Sequence, residues 1–238
     1  MAAKSLHNRP GKPFHLLRLF LLSFAGLLQV RSDDAAQIAL GALNTFYSAT
    51  GGANWDTSTN WMSGSTDFCT ASWYGINSCA NSIPSKLAMS DNNLQGTVPT
   101  EIGLLTGITR VLQLKNNALS GTLPTQLGQL TDLSMYFVAF KNDLTGTMPT
   151  QFGMLSDFSV FFRFFSNGLT GTIPTEYGRF TKLIENFQLN VNSLAGDFPT
   201  QFGLMTGLTS DFRFRSNKIN GTIPTELGRL TALTDTFY

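Results

Sequence analysis

The amino-acid sequence predicts an α/β solenoid, a stack of coils carrying short parallel strands and closed at its N-terminal end by a helical cap. Three observations predict it. Asn92, Asn117, Asn142, Asn167, Asn192 and Asn217 recur every 25 residues without exception. Two glycine columns, Gly96 to Gly221 and Gly103 to Gly228, keep the same step, as does a proline column, Pro99 to Pro224, each proline followed by a threonine. Apolar positions (Leu94, Val98, Ile102, Leu105, Ile108 and their copies) share that interval, so every coil owns an apolar face that only a neighbouring coil can cover.

In chain order, residues 1–32 read as a secretory signal peptide. They hold Lys4, Arg9, Lys12, Arg18 and Arg31, no acid, and a twelve-residue apolar run from Leu19 to Val30. A membrane span needs about 20 apolar residues, so this run suits the hydrophobic core of a signal. Val30-Arg31-Ser32 offers a cleavage site, and an uncleaved anchor is the alternative. Beyond residue 32 there are eleven basic and fifteen acidic residues, and no basic stripe of the kind that neutralises phosphates. Nucleic acid is therefore not an expected partner.

Residues 33–82 read as the cap. Ile38, Leu40, Leu43, Phe46 and Tyr47 fit one amphipathic helix over 34–49, started by Asp33 or Asp34 and ended by Gly51-Gly52. Cys69 and Cys79 are the only cysteines, and in a secreted chain an isolated pair is most simply a disulfide. Zinc would need two further ligands, and no histidine lies nearby; two free thiols are the other alternative.

Residues 83–238 form the array, with its last repeat incomplete. Each asparagine ends a strand, and its amide can bond turn backbone and continue from coil to coil as a ladder. The glycine after it permits a backbone that a Cβ would block, and the proline fixes an extended bend. The unit resembles the plant-type leucine-rich repeat, whose pattern ends L-x-G-x-I-P-x-x-(L/F)-G-x-L, over 83–238. The preceding Trp55, Asn60-Trp61, Trp73-Tyr74-Gly75 and the two cysteines resemble the cap of such extracellular arrays. The resemblance implies a right-handed leucine-rich-repeat solenoid with strands on the concave face and 3-10 or irregular turns on the convex face. Its relatives include receptor-like kinases, receptor-like proteins and polygalacturonase-inhibiting proteins. Two departures stand out: a period of 25 where 24 is usual, and phenylalanine at Phe137, Phe162, Phe187, Phe212 and Phe237 where leucine is usual. The array also stops at Tyr238 inside a strand without a polar terminal cap, so either it belongs to a longer protein, with membrane attachment through a C-terminal region as one expectation, or something else covers that end.

Little in the chain suits catalysis. Both histidines, His7 and His15, lie in the signal segment, which leaves no Ser–His or Cys–His pair and no histidine-based metal site afterwards. No glycine-rich phosphate loop follows a strand. The expectation is a non-enzyme without cofactor or metal. Side chains alternate along a strand, so three columns should face the concave side. They are Lys86, Val111, Tyr136, Phe161, Asn186, Asp211, Thr236; Ala88, Gln113, Val138, Arg163, Gln188, Arg213, Tyr238; and Ser90, Lys115, Phe140, Phe165, Asn190, Arg215. Tyr136, Phe140, Phe161, Arg163, Phe165, Gln188, Arg213 and Arg215 are the candidate ligand-binding residues, because aromatics and arginine anchor interfaces. A strand register shifted by one residue would instead bury the rings. Asn220-Gly221-Thr222 is the one glycosylation sequon.

The expected function is extracellular recognition of a protein, peptide or glycan, secreted or at the cell surface. A secreted inhibitor of a cell-wall-degrading enzyme is one alternative. Ice binding through the threonine rows at Thr97 to Thr222 and Thr100 to Thr225 is the other.

Overall fold

The computed structural model describes residues 34–76, 78–80 and 82–235. The expected signal segment with His7 and His15, the capping Asp33, and the column residues Thr236, Phe237 and Tyr238 lie outside the described residues.

Helix α1 covers 34–49, and Gly51 ends it in the left-handed region at φ 68°. Its buried stripe is Ala39, Ala42, Leu43 and Phe46, whereas Ile38 is 52% exposed. The expected face is thus corrected by one position: Ala39, and not Ile38, belongs to the buried core. Tyr47 and the three tryptophans complete the cap, with ring centroids of Trp55 and Trp61 5.0 Å apart and of Trp61 and Trp73 also 5.0 Å apart. Trp55 donates its Nε1–H to the Thr50 carbonyl at 2.9 Å, and Trp61 to that of Tyr74 at 2.9 Å, so both buried rings are satisfied. Cys69 and Cys79 form a disulfide. A short antiparallel pair, β1 (Cys79–Ala80) and β2 (Ile83–Pro84), leads into the array.

Two six-stranded parallel sheets run the length of the array. The first joins β3 (Lys86–Ala88), β5 (Val111–Gln113), β7 (Tyr136–Val138), β9 (Phe161–Arg163), β11 (Glu185–Gln188) and β13 (Ser210–Arg213) in coil order. The second joins β4 (Gln95–Thr97), β6 (Ala118–Thr122), β8 (Asp143–Thr147), β10 (Gly168–Thr172), β12 (Ser193–Gly196) and β14 (Lys218–Ile219). Five-residue 3-10 helices follow each second-sheet strand, from Thr100–Leu104 to Thr225–Arg229, each entered through an extended proline. The 3-10 turns were expected; the second sheet was not, and it corrects a turn side read as turns alone.

Between the sheets lies a continuous apolar core. Leu87, Leu112, Phe137, Phe162, Phe187 and Phe212 stack in one buried column. Leu114, Ala139, Phe164, Leu189 and Phe214 follow in the next. Ala139 compensates for its large neighbours, since the rings of Phe137 and Phe164 close to 4.9 Å across it. Phe162 and Phe187 stack at 5.2 Å and 18°.

The asparagine ladder joins coil to coil through backbone. Asn142 Oδ1 accepts the Leu119 N–H at 3.0 Å, while its Nδ2 donates to the carbonyls of Leu114 and Ala139, each at 3.0 Å. Asn167, Asn192 and Asn217 repeat the arrangement one coil on. Asn92 turns back to the cap instead, bonding both the N–H and the carbonyl of Thr57. The residue before each ladder asparagine has a positive φ: Asp91, Asn116, Lys141, Ser166, Val191 and Ser216. Close stacking needs the second glycine column too, since a Cβ on Gly103 would stand 2.5 Å from the Gln126 carbonyl oxygen.

Candidate functional site

The first sheet settles the strand register. Val111 pairs with Tyr136 and Tyr136 with Phe161, while Leu112, Phe137 and Phe162 pair beneath them. The inner residues are fully buried, and Tyr136, Phe140, Phe161 and Phe165 are half-buried on the outer surface of the sheet. The four rings make two pairs, one on each side of Val138 and Arg163. Tyr136 and Phe161 stack at 4.5 Å and 17°, and Phe140 and Phe165 at 4.2 Å and 11°.

Each pair is capped by a cation. The Arg163 guanidinium lies over the Phe161 ring at 4.6 Å, and Lys115 Nζ over Phe140 at 5.8 Å. Two continuous stacks therefore run along the solenoid axis, Tyr136–Phe161–Arg163 and Lys115–Phe140–Phe165. Arg163 also donates to Asn186 Oδ1, and Gln188 donates to the same oxygen at 3.3 Å. Burial, foremost, lowers the proton affinity of Arg163, with Arg213 acting in the same sense and Asp211 and Glu185 opposing. Arg213 pairs with Asp211, and Lys115 with Asp91 at 3.3 Å. Asn116 donates to Asp91 as well and is the main cause holding that carboxyl below its ordinary value.

The candidate residues do not share one environment. Gln188 is buried, together with Asn186 and Asn190, whereas Arg215 is exposed. Nε of Arg163, Nε of Arg213 and Oδ1 of Asn190 are buried with no hydrogen-bond partner. Asn186 and Asp211 stand where earlier coils have Phe161 and Tyr136, yet they take φ of 65° and 59°. Asparagine and aspartate tolerate that region better than aromatics, so β11 and β13 change course here. Sequence reading placed both in the column but missed the bend; the switch from aromatic to Asn/Asp was its signal. Asn220 is exposed in the turn after β14.

Fold and repeat together define the class: the chain is a plant-type leucine-rich-repeat protein, a solenoid behind a disulfide-bearing cap. No family model and no curated protein matches it. Among solved structures it is similar to the plant peptide hormone receptor RGFR1 in complex with RGF2. That match has 33% identity over 62% of this chain and 23% of the other, with a TM-score of 0.57. The Arabidopsis receptor kinase HAESA, in complex with the peptide hormone IDA and the co-receptor SERK1, matches at 25% identity over 85% of this chain and 33% of the other, with a TM-score of 0.67. A chain of the BIR3–SERK2 complex from Arabidopsis thaliana shares the fold at 24% identity and a TM-score of 0.62, over 77% of this chain and 95% of that one. The chain thus spans from 23% to 33% of the length of these two receptors.

Proposed function

We propose that this protein is an extracellular recognition module that binds a peptide or protein partner along its concave strand face. One observation carries the reading: outward strand positions change from coil to coil and collect stacked aromatics and arginines, while the inward columns stay apolar. Large half-buried apolar groups beside arginine are what interfaces use as anchors. The peptide-hormone complexes of the two similar receptors support it, as do the cap disulfide and the signal-like first 32 residues. Exposed Asn220 in its sequon is the proposed glycan attachment point. The role is recognition and not catalysis, and part of a receptor-like protein.

The test places a photocrosslinking residue at Gln113 on the concave face or at Gln151 on a 3-10 turn, and exposes each to extracellular fluid of the source cells. The concave probe should capture a discrete partner that the turn probe does not, and Phe161→Ala with Arg163→Ala should abolish that capture while the far-UV spectrum stays native. Equal capture from both positions would refute the reading.

A second reading, ice binding, rests on the second sheet. The γ-methyls of Thr97, Thr122, Thr147 and Thr172 each pack over the glycine of the next coil, 2.7–3.0 Å from where a Cβ would stand. This holds four threonines in one orientation on a regular sheet. Absence of both thermal hysteresis and ice-crystal shaping discards it.

A further inference from the structure

We infer that the concave face selects an acidic peptide, held by its acidic side chains across the two aromatic stacks; this rests on the recognition reading above. The first ground is charge. Of the eleven basic residues beyond residue 32, five (Lys86, Lys115, Arg163, Arg213 and Arg215) lie in the three concave columns, against one of the fifteen acids, Asp211. The columns carry +4, and the rest of that part, with six bases and fourteen acids, carries −8. Moving the flanking Asp91 and Glu185 onto the face still leaves +2 there and −6 elsewhere. A positive patch on a negative molecule draws anionic partners to one side only.

The second ground is how the rings are used. An aromatic face is electronegative and its edge electropositive. In each stack three of the four ring faces are covered, by the partner ring and by Arg163 or Lys115, so beyond one end face, of Tyr136 or of Phe165, each stack offers ring edges. Edges favour carboxylates and aliphatic groups; the open faces on which a sugar ring would stack are in short supply. That separates an acidic peptide from an acidic glycan. The third ground is incomplete neutralisation. The Arg163 guanidinium donates to the neutral Asn186 oxygen and joins none of the ion pairs found among the described residues, and Arg215 is exposed.

Six coils at about 4.8 Å spacing span roughly 24 Å, the reach of an extended segment of about eight residues. The probe is therefore a rhodamine-labelled octapeptide alternating glutamate and leucine, capped at both ends so that side chains carry all its charge. Fluorescence polarisation should show it binding at least tenfold tighter than its glutamine counterpart, with the preference shrinking as salt rises. Arg163→Gln with Arg213→Gln should remove the preference. Lys86→Gln with Arg215→Gln, which leaves the stacks intact, should reduce it several-fold and covers the case in which the first variant does not fold. Equal binding of the two peptides, with loss on Phe165→Ser, overturns the acidic selection and leaves the concave-face reading standing. Binding that survives every concave substitution overturns both. Tighter binding of an oligogalacturonate of equal charge overturns the peptide assignment.

Discussion

Asn142→Ala isolates what the ladder contributes. The side chain is 8% exposed and makes three short hydrogen bonds, one accepted from Leu119 and two donated to Leu114 and Ala139, besides a longer one donated to Phe140 at 3.4 Å. Each of those backbone groups is held in the narrow layer between the sheets, where alanine supplies no partner and water has little room. At about 1 kcal/mol per lost bond, the variant should lose about 3 kcal/mol, more if the orphaned groups carry their full desolvation cost. Urea unfolding by far-UV circular dichroism measures this, with cap tryptophan fluorescence followed in parallel because a solenoid need not unfold as one unit. A loss below about 0.5 kcal/mol would refute the claim that the ladder ties coil to coil. Asn142→Asp sharpens the test. Its oxygen still accepts from Leu119, but a carboxylate would face the two carbonyls and its folded-state pKa would rise above the unfolded one. A group raised in this way contributes more stability below its unfolded pKa, so Asn142→Asp should recover toward the wild type as pH falls through the carboxylate range.

Val191 occupies the left-handed region at φ 57° and is 43% exposed, a costly conformation for a β-branched residue. Val191→Asn should therefore stabilise the protein by about 1 kcal/mol, raising the thermal midpoint by roughly 2–4 °C in calorimetry. Burial, then the charge of Glu176, pushes the buried Tyr177 hydroxyl well above its ordinary value of 10.0. The folded state keeps that proton longer than the unfolded chain does. Stability should be complete below pH 10.0 and fall above it, and Tyr177→Phe should remove part of that alkaline loss in urea titrations at several pH values. Replacing Cys69 and Cys79 by alanine opens a loop of sequence separation 10. The cap should lose about 3 kcal/mol, read as an earlier tryptophan transition than that of the array.

The parts legible in the sequence were those set by position within the coil. Asn142, Gly103 and Pro99 each do one job in one place, so a constant interval between copies marks turn and core together, whereas strand register rests on pairings such as Leu112 with Phe137, which the interval does not specify. The second sheet hid because its strands are short, all but β14 contain a glycine, and they pair only with residues 23 positions away, as Asp143 does with Ser120. Nothing local marks such a segment as extended. The α1 face was displaced because the reading favoured Ile38 over Ala39, although Ala39 is the buried residue. Burial of Gln188 was equally invisible, since it depends on Asn186 and on side chains one coil away.

The concave stacks bear on affinity as well as selection. An inward residue is confined by coils on both sides and by the opposite sheet, so its column admits only apolar groups that fill space. An outward residue is confined by its two neighbours alone, which leaves its chemistry free. Here that freedom is partly surrendered: Tyr136, Phe161, Phe140 and Phe165 hold one another, and Arg163 is held by Phe161 and Asn186. Aromatic pairs of this kind stabilise by about 0.5–1.5 kcal/mol each, which removing one ring would take from the fold without abolishing it. The same contacts restrict the side chains before any partner arrives, so binding would immobilise little that is still free. On the proposed recognition reading, a face built this way would gain its affinity from order already present in the unbound solenoid.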